Sequence, residues 1–214
     1  MAASPPEHPG SPSRRRQRDP ERKARILSAA AELAARRGFH TIAMSDIGAE
    51  AGIVGSGVYR HFASKTAILV ALLDQVMSRL QDGAAAVAGR ATDDRSALSA
   101  LVRDHIQVAI EDRSVLAVYH REAHNLPEDD RRRLRRAQRL YLEEWVHVLA
   151  PLRPELTDAE LRVAVHAAVG AIQSTLFFRA GLAPRRLAEL LDGLAHGCLG
   201  VVSATSEPAI TTPA

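Results

Sequence analysis

The sequence has little with which to cross-link, chelate or stack. It holds one cysteine, Cys198, in 214 residues, which excludes an internal disulfide framework and a multi-cysteine zinc site. Aromatic residues make up 4% of the chain, so a core must rest on Ala, Leu, Val and Ile. No apolar run approaches the roughly 20 residues that span a bilayer. The opening MAASPPEHPGSPSRRRQRDP has no apolar stretch after its charges and does not read as a secretory signal. These absences point to the reducing cytoplasm. Lysine is also scarce: only Lys23 and Lys65 among 28 basic residues, the other 26 being arginine. With the many alanines, that bias reflects a GC-rich coding sequence more than a function.

What is present is ordinary for a globular chain, with 46% hydrophobic and 25% charged residues. The charge is unevenly placed. Residues 1–65 carry 11 basic and 6 acidic side chains, whereas residues 66–214 carry 17 and 19. A positive first third on a slightly negative remainder suggests a polyanion-binding module attached to a second unit.

Residues 1–19 are rich in Pro, Ser, Gly and Arg, and they read as a disordered basic arm; 204–214 reads as a disordered tail. Strand signals are absent, so the fold class expected is all-α, with about nine helices. Asp19, Pro20 and Gly38 bracket a first helix whose stripe is Ile26, Leu27, Ala30 and Leu33. Short helices follow at about 44–51 and 54–61, and Ser64 caps a longer one beginning at Lys65. Later helices fall at about 93–111, 114–124, 127–149, 157–180 and 184–203, with Asp93, Pro127, Thr157 and Pro184 as start signals. The division expected is an N-terminal domain over 20–66 and a C-terminal bundle over 67–203.

Residues 44–61, MSDIGAEAGIVGSGVYRH, read as a helix-turn-helix with its turn at Gly52-Ile53. Glycine there permits the positive φ of a sharp turn. Such a pair presents the N-terminal residues of its second helix to base edges. Residues 22–73 resemble the DNA-binding domain of the TetR family of bacterial transcriptional regulators. The matching pieces are Ile26-Leu27, Ala30, Gly38-Phe39, Asp46-Ile47, Ala51-Gly52-Ile53, Tyr59, His61, Phe62, Ser64 and Lys65. The resemblance implies an all-helical homodimer that binds double-stranded operator DNA and releases it when a small molecule enters the C-terminal domain. It also implies phosphate contacts from Tyr59 and Lys65. Thr41, Ser45, Val54, Gly55, Ser56 and Gly57 are further DNA candidates, the small ones by allowing close approach. Arg60 and His61 can touch DNA or serve as solvated or capping groups, and Phe62 plugs the small core.

The chain departs from the family where Val54 replaces the usual N-cap serine, and Gly55 stands where a longer side chain often reads a base. Gly57 weakens the helix further, each glycine costing about 1 kcal/mol relative to Ala. Readout is therefore expected to lean on shape and on outside contacts. One source is the arm Arg14, Arg15, Arg16 and Arg18 in the minor groove, although the same arm also reads as a solubilising tail.

The C-terminal segment has no phosphate loop, nucleophile turn or catalytic set, so no enzyme, cofactor or metal site is expected. His120 and His124 stand four apart, but Arg121 occupies the place of the zincin glutamate. They read as structural or pocket-lining groups, with Tyr119, Tyr141, Trp145 and Phe177 as further pocket candidates, although core packing is the plainer reading of Tyr119, Phe177 and Phe178. Arg131, Arg132, Arg133, Arg135, Arg136 and Arg139 form a cluster. It reads as a solvated face paired with Glu128, Asp129 and Asp130, or as a seat for an anionic head such as that of a coenzyme A ester. Leu161, Val165, Ala168, Val169, Ile172, Leu187, Leu191 and Leu194 are assigned to a dimer interface, and Cys198 to a buried apolar site. Two functions follow: a repressor released by a small hydrophobic ligand, or a DNA-binding dimer whose C-terminal domain is a ligand-independent platform.

Overall fold

The computed structural model describes residues 20–53 and 55–203. The arm with Arg14, Arg15, Arg16 and Arg18, the helix cap Asp19, Val54 and the tail 204–214 lie outside the described residues. Eight α-helices follow in order: α1 Pro20–Arg37, α2 Met44–Glu50, α3 Lys65–Ala88, α4 Asp94–Glu111, α5 Arg113–Glu122, α6 Glu128–Leu149, α7 Asp158–Gln173 and α8 Pro184–Leu199. Short 3-10 segments link them, and no strand occurs among the described residues.

Local chemistry sets the helix starts. Ser64 accepts the amide of Ala67, Asp93 accepts that of Ser96, and Thr157 and Glu160 form a reciprocal capping box. Pro184 occupies the first turn of α8, and Pro127 stands one residue before α6. The helix expected over 157–180 stops at Gln173, and a 3-10 turn Ser174–Phe177 follows.

The first three helical pieces pack as a head. Ile26, Leu27, Ala30 and Leu33 of α1 are buried against Ile47, Val58 and Phe62, as their spacing predicts. The sharp turn is where expected, with Gly52 at φ 66°. The second reading element is a 3-10 segment, Gly55–Arg60, rather than an α-helix. Two glycines within it weaken the α-helix. One is required by packing, since a Cβ at Gly57 would stand 2.4 Å from Ile53 Cγ2.

α3 leaves the head and runs into the body, where it packs against α4, α5 and α6. Ile68, Leu69, Leu72, Leu73, Val76 and Leu80 of α3 join Leu98, Leu101, Val102, Trp145 and Leu149 in one core. This packing corrects the dimer assignment. Leu161, Val165, Ala168, Ile172 and Leu191 are at most 5% exposed within a single chain, so they hold α7 and α8 to their own body. Val169 and Leu187 are half-buried, and only Leu194 of that set faces outward, at 57%. The outward face consists instead of Val163, Ala167 and Gly170 on α7 and Leu190, Gly193, Leu194, Gly197 and Cys198 on α8. Cys198 is thus exposed, not buried. Phe177 and Phe178 are also exposed, at 62% and 55%, which overturns their placement in the core.

Candidate DNA-contacting head and internal cavity

Ser45 on α2 and Ser56, Tyr59 and Arg60 on the 3-10 segment are all exposed, with Tyr59 at 59%. Together they offer two aliphatic hydroxyls, a phenol and a guanidinium on the helix-turn-helix. His61 is half-buried behind them, and Gly57 lies within the segment against Ile53. Gly55 opens the segment.

Two assigned groups are engaged inside the head. The hydroxyl of Thr41 donates to the carbonyls of Arg37 and Gly38, at 2.8 and 3.0 Å, and so closes the end of α1. The ammonium of Lys65 donates to the carbonyls of Phe39, His40 and Ile42 at 3.0–3.1 Å and lies over the Phe39 ring. Its charge therefore braces the turn before α2. Sequence spacing gives no warning of this, because the carbonyls lie more than twenty residues away.

The head is tied to the body mainly through α5. Ser114 donates to Glu32 at 2.8 Å, and Arg121 donates to the carbonyl of Ala35 at 3.2 Å. Glu122 is 6% exposed; it accepts from the Phe39 amide at 3.4 Å and from Asn125 at 2.9 Å, and it lies 3.1 Å from His40 Nε2.

The opposite side of α5 lines a cavity of about 30 Å³, formed by Met77, Leu80, His105, Leu116, Tyr119, Gln138, Tyr141, Leu142, Val169 and Gln173. That is space for about two waters. Tyr119 and Tyr141 are here as expected, and Trp145 packs edge-on against His105 and Tyr141 behind it. His120 reaches the cavity through Gln173, whereas Phe177 touches the His120 ring from the exposed side. His124 sits on the separate Ala123–Asn125 turn, exposed.

His105, Gln138 and Gln173 were not anticipated. The available signal was a lone imidazole in the apolar stripe of α4. Burial, with the charge of His120 second, pushes His105 down to about 4, so the ring is neutral. A neutral ring gives the contacts a direction. His120 Nε2 donates to Gln173 Oε1 at 2.9 Å, Gln173 Nε2 donates to His105 Nε2 at 3.0 Å, and His105 Nδ1 donates to the Tyr141 hydroxyl oxygen at 2.8 Å. Burial pushes the Tyr119 phenol up to about 12 and raises that of Tyr141, so both stay protonated.

The arginine cluster divides. Arg131, Arg132 and Arg133 pair with Glu128, Asp129 and Asp130, and Arg133 also meets Asp74. Arg135, Arg136 and Arg139 are exposed. Elsewhere Ser99, His196 and Asp192 stand in the order of a hydrolase triad, with Ser99 Oγ 3.1 Å from His196 Nε2. Ser99 and His196 are 1% and 4% exposed, which denies a substrate approach, and the group instead tethers α8 to α4.

A helix-turn-helix head on a helical body with a small cavity defines a class of one-component regulators. Residues 26–72 match the family described as bacterial regulatory proteins, tetR family, and residues 91–176 match the tetracyclin repressor-like C-terminal domain. The chain belongs to the TetR family, whose members are transcriptional regulators and not enzymes. It is 34% identical over 96 residues to the transcriptional activator FasR of Mycolicibacterium smegmatis, covering 44% of each chain. It is 30% identical over 114 residues to the transcriptional repressor KstR2 of Rhodococcus jostii, covering 51% of this chain and 54% of that one. The matches thus span about half the length of these relatives. A TetR-family regulator from Bordetella parapertussis superposes with a TM-score of 0.74 at 25% identity, covering 85% of this chain and 98% of that one.

Proposed function

We propose that the chain is a homodimeric repressor that holds a palindromic operator and lets it go when a small hydrophobic ligand enters the body. The observation that carries this reading is the outward cluster Ser56, Tyr59 and Arg60 on a head braced against α5, whose other side lines the cavity. The small-residue face of α7 and α8 joins two chains, so that two heads meet successive major grooves about 34 Å apart. The arm around Arg14–Arg18 enters the adjacent minor groove. The ligand class we assign is an acyl-coenzyme A or similar lipid-like ester. Its apolar part expands the cavity, and its anionic head meets Arg135, one helical turn before the cavity residue Gln138, with Arg136 and Arg139 beside it.

A ligand must bind the released state more tightly than the operator-bound one, by a few kcal/mol, to empty the site. The closed packing around a cavity of about 30 Å³ favours a second reading, in which the body is a platform that takes no ligand. Fluorescence anisotropy on DNA flanking the gene, run against unrelated DNA through a salt titration, tests the first. Saturable binding with a large advantage for the flanking DNA, lost on addition of an acyl-coenzyme A, is expected. Binding unmoved by acyl-coenzyme A esters turns the assignment to the platform. Deleting the gene gives the sign: transcription beside the operator rises for a repressor.

A further inference from the structure

We propose that the turn Phe39–Thr41 is the joint through which the body positions the helix-turn-helix, with Glu122 and Lys65 as its two anchors. The proposal deepens the DNA-binding reading and rests on it for its functional consequence alone.

Glu122 belongs to the body, at the end of α5, yet its carboxylate is spent on the head. A carboxylate removed from water is costly unless hydrogen bonds satisfy it, and apolar packing would hold two domains together as well. Here both oxygens are used in fixed directions. One takes the Phe39 amide, and the other faces Asn125 and His40. From the other side, α3 sends Lys65 to the carbonyls of Phe39, His40 and Ile42. The same peptide segment is therefore gripped at its N–H by α5 and at its carbonyls by α3. Two residues beyond the turn, α2 begins at Met44. A shift of α5 relative to α3 loads this turn and reaches α2 through the two residues Ile42 and Ala43.

The cavity contacts α5 on its other side. Tyr119 lines it, and His120, the next residue, holds Gln173, which holds His105. An occupant that displaces Gln173 thus acts on the helix that carries Glu122. Glu122 is a positioning residue: it contacts neither DNA nor the cavity.

The test is a double-mutant cycle on the full chain, read by amide hydrogen exchange over residues 39–43. Glu122→Gln keeps the size and polarity of the side chain and removes its charge. It is expected to raise exchange in that segment by about tenfold, the loss of one hydrogen bond of ordinary net strength, with the exchange of α4 and α6 unchanged. Gln173→Ala, made at the cavity, is expected to change exchange at 39–43 in the wild-type background and to lose that effect in the Glu122→Gln background. Equal effects of Gln173→Ala in both backgrounds, or none in either, overturn the proposal. Lys65→Met tests the second anchor and is expected to raise exchange in the same segment; unchanged exchange there also overturns it. Anisotropy on the flanking DNA is measured in parallel, with about tenfold weaker binding expected for Glu122→Gln. If the wild-type chain binds no DNA while the cycle shows coupling, the DNA-binding reading fails and the joint stands.

Discussion

His105 shows how one residue ties stability to acidity. Its folded value of about 4 lies below the ordinary 6.5, so the unfolded chain binds the proton more readily. The stability of the neutral buried ring is fully present above pH 6.5 and is lost as pH falls from 6.5 towards 4. The shift amounts to about 3 kcal/mol at 1.36 kcal/mol per unit. His105→Gln is expected to flatten the pH dependence of the thermal midpoint in that window, and a slope equal to wild type would show that the imidazole does not set it. Tyr59 makes a second prediction at this scale. Tyr59→Phe removes one exposed hydroxyl and leaves the core untouched, since the side chain is 59% exposed. Operator binding is expected to weaken severalfold, and by a similar factor on unrelated DNA, because a phosphate contact carries no sequence. Anisotropy on both DNAs measures this.

α8 separates the role of Leu191 from those of its neighbours Leu190 and Leu194. Leu191→Ala opens a hole in a side chain 2% exposed and is expected to cost about 2–5 kcal/mol in chemical denaturation. Leu190→Glu with Leu194→Glu is expected to leave the fold intact and yield monomers in sedimentation, because these side chains are 40% and 57% exposed. The starts of α3, α4 and α7 were legible in sequence, because a cap is a contact between residues three apart: Ser64 with Ala67, Asp93 with Ser96 and Thr157 with Glu160. The inward side of α7 and α8 was not legible. Both helices carry apolar or small residues on two faces, and periodicity alone does not rank those faces. Leu191 therefore reads as interface in the sequence, although it is buried within its own chain. The reading segment is legible as a helix-turn-helix through Gly52, but the close approach of Ile53 to Gly57 is not. The three carbonyl partners of Lys65 are not legible beside its expected phosphate contact, because they come from a distant turn.

For the whole molecule, the charge division maps onto the two domains: the excess of basic groups lies in residues 1–65 and the slight acidic excess in the body. DNA affinity is accordingly expected to fall steeply with salt, with a logarithmic slope of about 0.9 for each phosphate neutralised. Deleting residues 1–19 removes Arg14, Arg15, Arg16 and Arg18 and is expected to shallow that slope by about 0.9 per arginine that meets a phosphate. An unchanged slope would mark the arm as a solubilising tail. The two lysines carry a separate consequence. Both belong to the head, with Lys23 exposed near the Phe62 ring and Lys65 held under three carbonyls. Among the described residues the body offers no ammonium side chain at all. Amine-directed acylation, whether by a reactive metabolite or a labelling reagent, therefore finds its side-chain target at Lys23 and leaves the body unmarked.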